Sequence, residues 1–160
     1  MPNYGTFTRT NIANDRLFLT IPNVGEGGGA GINAQYNIYE NRFYGGDTYW
    51  HYKTNIPTYG WSMHNIEAVG YSYGGGVPIR CNWCFHTSNG TFYNQELSNI
   101  YSGLSANRLY ASGDNYVVFV ATGPSYFSGW SINAYSLNPT GPFNVQITAA
   151  VQTSSNANYY

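Results

Sequence analysis

Cys81 and Cys84 stand in the order Cys-Asn-Trp-Cys, and the histidines are His51, His64 and His86. Two thiolates at that spacing hold zinc when a second ligand pair follows, and none follows here. In an extended strand, residues three apart point to opposite faces with Cα atoms about 10 Å apart, beyond the reach of a disulfide. The pair therefore reads as two reduced cysteines acting as small apolar side chains. Gly70-Tyr-Ser72-Tyr-Gly74 has the letters of a nucleophile elbow. An elbow needs a strand-to-helix turn in an α/β sheet, with an acid and a histidine downstream. Strands and glycines flank this one, and His86 is the sole histidine after it. Glycoside hydrolysis needs two carboxylates across a cleft. The seven Asp and Glu residues sit in no catalytic signature, and their spacing pairs none of them. Glu67 falls on an apolar-looking face, which predicts a buried acid bonded to tyrosine or backbone donors. No catalytic residue, metal or cofactor is expected.

Neutral recognition chemistry is far better supplied. The chain has 17 Tyr, 4 Trp and 8 Phe. Asn, Ser and Thr add 20, 13 and 13 uncharged hydrogen-bonding side chains. A flat ring laid on the C–H face of a sugar gains dispersion and apolar burial, while amides bond its hydroxyls. Ring clusters occur at Phe43-Tyr44, Tyr49-Trp50-Tyr52, Tyr59-Trp61 and Tyr126-Phe127 with Trp130. Tyr49, Trp50, Tyr59 and Tyr126 are the candidate sugar contacts, because they lie beside Gly, Asn or Pro turns and so near loop tips. Most other rings are expected in the core or a subunit interface. Asn89-Gly90-Thr91 is an N-glycosylation sequon, meaningful in a eukaryotic secretory protein.

Charge excludes other partners. Six Lys and Arg against seven Asp and Glu leave a net charge of −1, and 8% of the 160 residues are charged. An average domain is about 25% charged. One lysine and five arginines cannot neutralise a run of phosphates, so no nucleic-acid partner is expected. No apolar window approaches the about 18 residues of a membrane span, so no membrane insertion is expected. Residues 1–10 lack the apolar stretch of a secretory signal, and no lipidation motif occurs. Disordered chains are poor in rings and rich in charge, the reverse of this composition. So many rings with so little charge predict a symmetric assembly, a homotrimer or higher, rather than a monomer.

The elements that must position these residues are strands. Short apolar runs alternate with Gly, Asn and Pro punctuation, and long runs of helix formers are missing. Strands are expected at Arg16 to Ile21, Gln35 to Glu40, Thr48 to Tyr52, Trp61 to Tyr73, Val77 to Thr87, Asn115 to Thr122, Gly129 to Leu137 and Phe143 to Val151. In the fourth of these, Trp61, Met63, Asn65, Glu67 and Val69 share one face, and His64, Ile66 and Ala68 the other. Asn89-Gly90 marks a hairpin. Asn115 to Thr122 is apolar on both faces and should be central. Asn94 to Ser112 has weak helical spacing, which leaves room for one short helix. Val117, Phe119, Ile132, Tyr135, Ile66, Ile79 and Ile147 are the expected core. The fold class is all-β, an antiparallel β-sandwich of jelly-roll type with an extended Gly-rich N-terminal arm. Residues 1–34 form the arm and hinge, and residues 35–160 the sandwich domain. The arm is expected to lie on a neighbouring subunit.

The order Trp61-Ser-Met-His-Asn-Ile-Glu-Ala-Val-Gly-Tyr-Ser-Tyr-Gly74, then Pro78-Ile79 and the Trp83 strand, then Ser112-Gly-Asp-Asn-Tyr-Val-Val-Phe119, then Tyr126-Phe-Ser-Gly-Trp-Ser-Ile132, resembles the β-rich knob domains of tail-fibre and virion structural proteins of tailed bacteriophages, especially cyanophages. The resemblance spans about Gln35 to Val151. It implies a trimeric, non-enzymatic protein displayed on a virion, facing the host surface and binding a host glycan. No coiled-coil or stalk repeat precedes the knob. Either another chain supplies a stalk, or the arm holds the knob on a capsid or tail. The second case implies a capsid decoration (cement) protein that stabilises the shell.

Overall fold

The structure, a computed structural model, describes residues 18–20, 32–43, 48–73, 76–123, 127–137 and 144–160. Ten strands run through them: β1 Phe18–Thr20, β2 Ile32–Phe43, β3 Tyr49–Pro57, β4 Ser62–Ser72, β5 Val77–Ser88, β6 Thr91–Ser102, β7 Ser105–Ala111, β8 Tyr116–Thr122, β9 Ser128–Leu137 and β10 Ile147–Thr153. They form two antiparallel sheets in a β-sandwich, ordered β1-β2-β9-β4-β5-β6 and β10-β3-β8-β7. Within the expected arm, β1 pairs with Asn33 to Gln35 of β2 at one edge of the larger sheet.

The short helix that the spacing allowed does not form; the stretch from Asn94 forms most of β6 and all of β7. Its spacing misleads because β6 slips register against β5 twice, between Cys84 and His86 and between Arg80 and Cys81. Asn94, at the first slip, takes a left-handed φ of 49°. Each extra residue moves the next side chain to the other face, so strict alternation is lost without any helix. The Asn89-Gly90 turn is left-handed at both positions, φ 49° and 75°, as a tight two-residue hairpin requires.

The core lies between the sheets. Ile66, Ala68, Ile79, Trp83 and Ile132 from the larger sheet meet Tyr52, Ile56, Val117, Phe119 and Ala121 from the smaller. Ile147 packs half-buried against this cluster. Tyr135 departs from expectation. It shares its face of β9 with Asn133, so it stands half-buried on the outside of the larger sheet. Cys81 is buried in the core and Cys84 is half-buried on the other face, both as free thiols. Burial pushes the Cys81 thiol up to about 12, which leaves it an inert apolar filler.

Where β4 pairs with β9, Gly70 lies opposite Trp130. A Cβ on Gly70 would sit 2.0 Å from the Gly129 carbonyl oxygen and 2.6 Å from Trp130 Cα. Backbone cannot yield as a side chain can. Gly70→Ala is expected to cost about 1–3 kcal/mol through forced strand separation. A thermal melt unchanged from the parent would show that the two strands have room to part.

β8 is apolar on both faces because both are covered. Val117 and Phe119 enter the core, while Val118 and Val120 face outward under Tyr110, Tyr49 and Tyr160. After β10 the chain turns back across this outer face as a strap, residues 154–160. Arg108 donates from Nε to Asn156 Oδ1 at 3.0 Å and from Nη1 to Asn158 Oδ1 at 2.7 Å, and from Nη2 to the Asn156 carbonyl. The Tyr110 hydroxyl accepts from the backbone N–H groups of Tyr159 and Tyr160, at 3.1 and 3.3 Å. His51, fully buried beneath, has Nε2 3.2 Å from the Ser155 carbonyl and Nδ1 3.2 Å from the Tyr110 hydroxyl. A carbonyl only accepts, so Nε2 carries the proton of the neutral ring.

Candidate functional site

Strand register builds the outer face of the larger sheet row by row. Leu137, Met63, His86 and Tyr93 lie side by side across β9, β4, β5 and β6. The next row is Tyr135, Asn65, Cys84 and Glu96, and the one after it Asn133, Glu67, Asn82 and Ser98. Further along come Ser131, Val69, Arg80 and Tyr101. An apolar row thus borders a polar centre.

The polar centre is internally satisfied. Glu67 is 7% exposed although it faces outward. It accepts from Arg80 Nε at 3.1 Å and from the Tyr135 hydroxyl at 3.3 Å. Burial, then the Glu67 charge, pushes the Tyr135 hydroxyl up to about 12, so it stays protonated and donating. The carboxylate's partners are an arginine, a tyrosine, as the sequence suggested, and the Asn133 amide, which donates at 3.5 Å. The arginine balances its charge and the neutral donors hold it in place.

The apolar row opens to solvent. Trp61, just before β4, is 65% exposed, and its ring stands edge-on to His86 with centroids 6.3 Å apart. His86 in turn lies 6.0 Å from the Tyr93 ring. Beside them a hollow of about 360 Å³ is lined by Met63, Leu137, Cys84 and Tyr135, with Asn65 and Asn94 among its polar groups. Asn65 Oδ1 accepts from Asn82 Nδ2 at 3.0 Å, and the donors of the Asn65 amide are on its nitrogen.

The three sequence candidates within the described residues, Tyr49, Trp50 and Tyr59, do not converge. Tyr59 is 62% exposed in the β3–β4 turn, where its ring lies over Gly90; a Cβ there would be 3.1 Å from Tyr59 Cζ. That turn adjoins Trp61. Tyr49 and Trp50 begin β3, roughly 25 Å of extended strand away from Tyr59. Tyr49 packs half-buried beside Val118 and Val120. Trp50 packs half-buried on the core, stacked 6.2 Å from Tyr52 and edge-on to Trp130 at 5.8 Å. Tyr126 and the Tyr44 cluster lie outside the described residues. Met63, His86 and Tyr93 are not among the sugar contacts expected from the sequence. Two signals were present: the alternation that puts Met63 beside Trp61, and the Asn89-Gly90 turn, which sets His86 opposite Tyr93 by counting outward from the turn.

No family model matches the chain, and no curated protein matches it in sequence. Among solved structures, it is similar to a tailspike protein of Acinetobacter baumannii bacteriophage Fri1, a capsular polysaccharide depolymerase, with 12% identity and a TM-score of 0.49. That likeness covers 81% of this chain and 21% of the tailspike. It is also similar to the tailspike protein of Acinetobacter phage vB_ApiP_P1, with 12% identity, a TM-score of 0.32, and coverage of 80% of this chain and 24% of that one. The chain thus spans about a quarter or less of the tailspikes it matches, and neither likeness carries function across.

Proposed function

We propose that this chain is a non-enzymatic surface protein of a bacteriophage particle, of the fibre-knob type, that recognises a host glycan through the outer face of its larger sheet. The observation that carries the glycan contact is the open aromatic row of Trp61, His86 and Tyr93 beside a hollow whose lining holds no lysine, arginine or carboxylate. Rings left in water on a folded domain are costly unless they meet a partner, and flat rings flanked by amides suit a sugar's C–H face. The virion setting rests on the residue order shared with fibre knobs. A homotrimer with other virion proteins as neighbours follows from the same order and from the low charge.

A capsid decoration role is the second reading, and one observation favours it. The edge strand β6 exposes Ile100 and Tyr101 as well as Tyr93, a strip suited to burial against another protein. The two roles separate by substitution. Trp61→Ala is expected to reduce adsorption to host cells at least about tenfold while the melting temperature stays within about 2 °C, because the ring has little packing to lose. Trp50→Ala is expected to lower the melting temperature by about 6 °C or more without a specific effect on binding, because its ring backs the core. Unchanged adsorption in Trp61→Ala, with shells that lose the protein or open on heating, would assign the face to decoration.

A further inference from the structure

We infer that the hollow beside Trp61 is a subsite for the acetamido group of a neutral N-acetylated amino sugar. The inference rests on the glycan reading above and names the sugar class. Three features of one group must be met together: a methyl, a carbonyl acceptor and an N–H donor. The hollow offers a match for each. Met63, Leu137 and Cys84 form an apolar floor for the methyl. The Asn65 amide nitrogen is the donor for the carbonyl, since its oxygen is committed to Asn82. Asn94, held at the hollow by the left-handed bulge in β6, supplies an amide oxygen for the N–H. A 6-deoxy methyl would leave both amides unmatched, and an O-acetyl group would leave Asn94 without its donor.

Charge decides between neutral and anionic sugars. The lining of the hollow holds no lysine, arginine or carboxylate. In the row that borders it, the charged side chain is Glu96, exposed beside Cys84. Arg80, two rows further along the same face, is paired with Glu67 at 3.1 Å. A uronic or sialic acid would therefore meet the Glu96 carboxylate with no lysine or arginine in the lining to offset it, and with only the imidazoles of His64 and His86 there to pair with. The sugar ring itself lies against Trp61, with His86 and Tyr93 continuing the wall.

The test is binding of the 160-residue chain to immobilised β-linked trisaccharides. N-acetylglucosamine and N-acetylgalactosamine trisaccharides are compared with those of glucose, galactose and galacturonic acid. The expected result is a preference of about tenfold or more for the N-acetylated pair, the size of one added hydrogen bond with a buried methyl. Asn65→Ala should collapse that preference while glucose or galactose binding persists, and Trp61→Ala should weaken both. Equal binding of acetylated and plain sugars in the parent chain overturns the acetamido subsite and leaves glycan recognition standing. A preference that survives Asn65→Ala moves the subsite away from this hollow. Binding to no trisaccharide overturns the subsite and the glycan reading together.

Discussion

Trp83→Ala is expected to lower stability by about 3–5 kcal/mol, near 10 °C or more in melting temperature for a domain of this size. Trp83 is fully buried at the centre of β5, and its ring meets Phe119 of the opposite sheet at 4.9 Å. Its Nε1 donates to the Val120 carbonyl at 3.1 Å, which ties the two sheets together by a hydrogen bond as well as by packing. Truncation removes the apolar contact, opens a cavity between sheets and leaves that carbonyl short of a partner. Trp83→Phe keeps part of the ring but not the bond, so its cost should fall between the parent and the alanine variant. Equal losses in the two variants would mean that the hydrogen bond, not the volume, holds the sheets at this point. A melt of Trp83→Ala within 2 °C of the parent, about 0.5–1 kcal/mol, would contradict the placement of the core.

Acidification from pH 7 to pH 4 is expected to remove about 3 kcal/mol through His64 alone, with His51 adding in the same direction. His64 is buried between the sheets near one end, with Nδ1 2.9 Å from Ser136 Oγ and Nε2 2.7 Å from Ser62 Oγ. Burial, and then the His86 charge, holds its pKa down at about 4 against 6.5 for a free histidine. The folded chain therefore binds fewer protons than the unfolded chain between those values. Stability from this site is complete above pH 6.5 and falls as pH drops toward 4, at up to about 1.4 kcal/mol per pH unit. Burial, and then the Arg108 charge, lowers the pKa of His51 as well, while the Ser155 carbonyl opposes them. Protonating it places a second cation beside Arg108 under the strap. Urea melts of the parent at pH 7, 5.5 and 4, set against His64→Gln, measure the first contribution. An amide can replace both imidazole bonds without titrating, so the variant should show a flatter profile. A slope as steep as the parent's would locate the acid sensitivity elsewhere.

These two expectations depend on where side chains point, and the sequence resolves that only in part. Alternation in the Trp61 to Tyr73 run divided Met63, Asn65 and Glu67 from His64, Ile66 and Ala68, and the structure keeps that division. The Asn89-Gly90 turn specified a hairpin and, by counting, the Ser88–Thr91 and His86–Tyr93 pairs. The apolar run of β8 announced an interior strand, and β8 lies between β3 and β7. Such features are local. A period of two, a turn with two left-handed residues and a run without polar residues act within about ten residues of chain, and the residues themselves carry them.

What lay beyond reach was non-local. Trp50 and Trp61 are both tryptophans beside turns, yet Trp130 and Tyr52 close over the first while the second stays 65% exposed. The stretch after Asn94, whose spacing left room for a helix, became β6 because β5 offered a free ladder of backbone groups, and two bulges absorbed the mismatch in pattern. Tyr135 looked like core and faces outward, since a tyrosine suits either side of a sheet and its partner Glu67 sits 68 residues away in the chain. The outward face of β8 is apolar because the strap covers it, a contact that joins Arg108 to Asn156 and Asn158. Sequence by itself therefore determined the all-β class, most of the strands and one hairpin register. Tertiary structure decided which ring meets water, because in a chain this rich in rings both faces of a strand are apolar and only long-range partners choose the one that is buried.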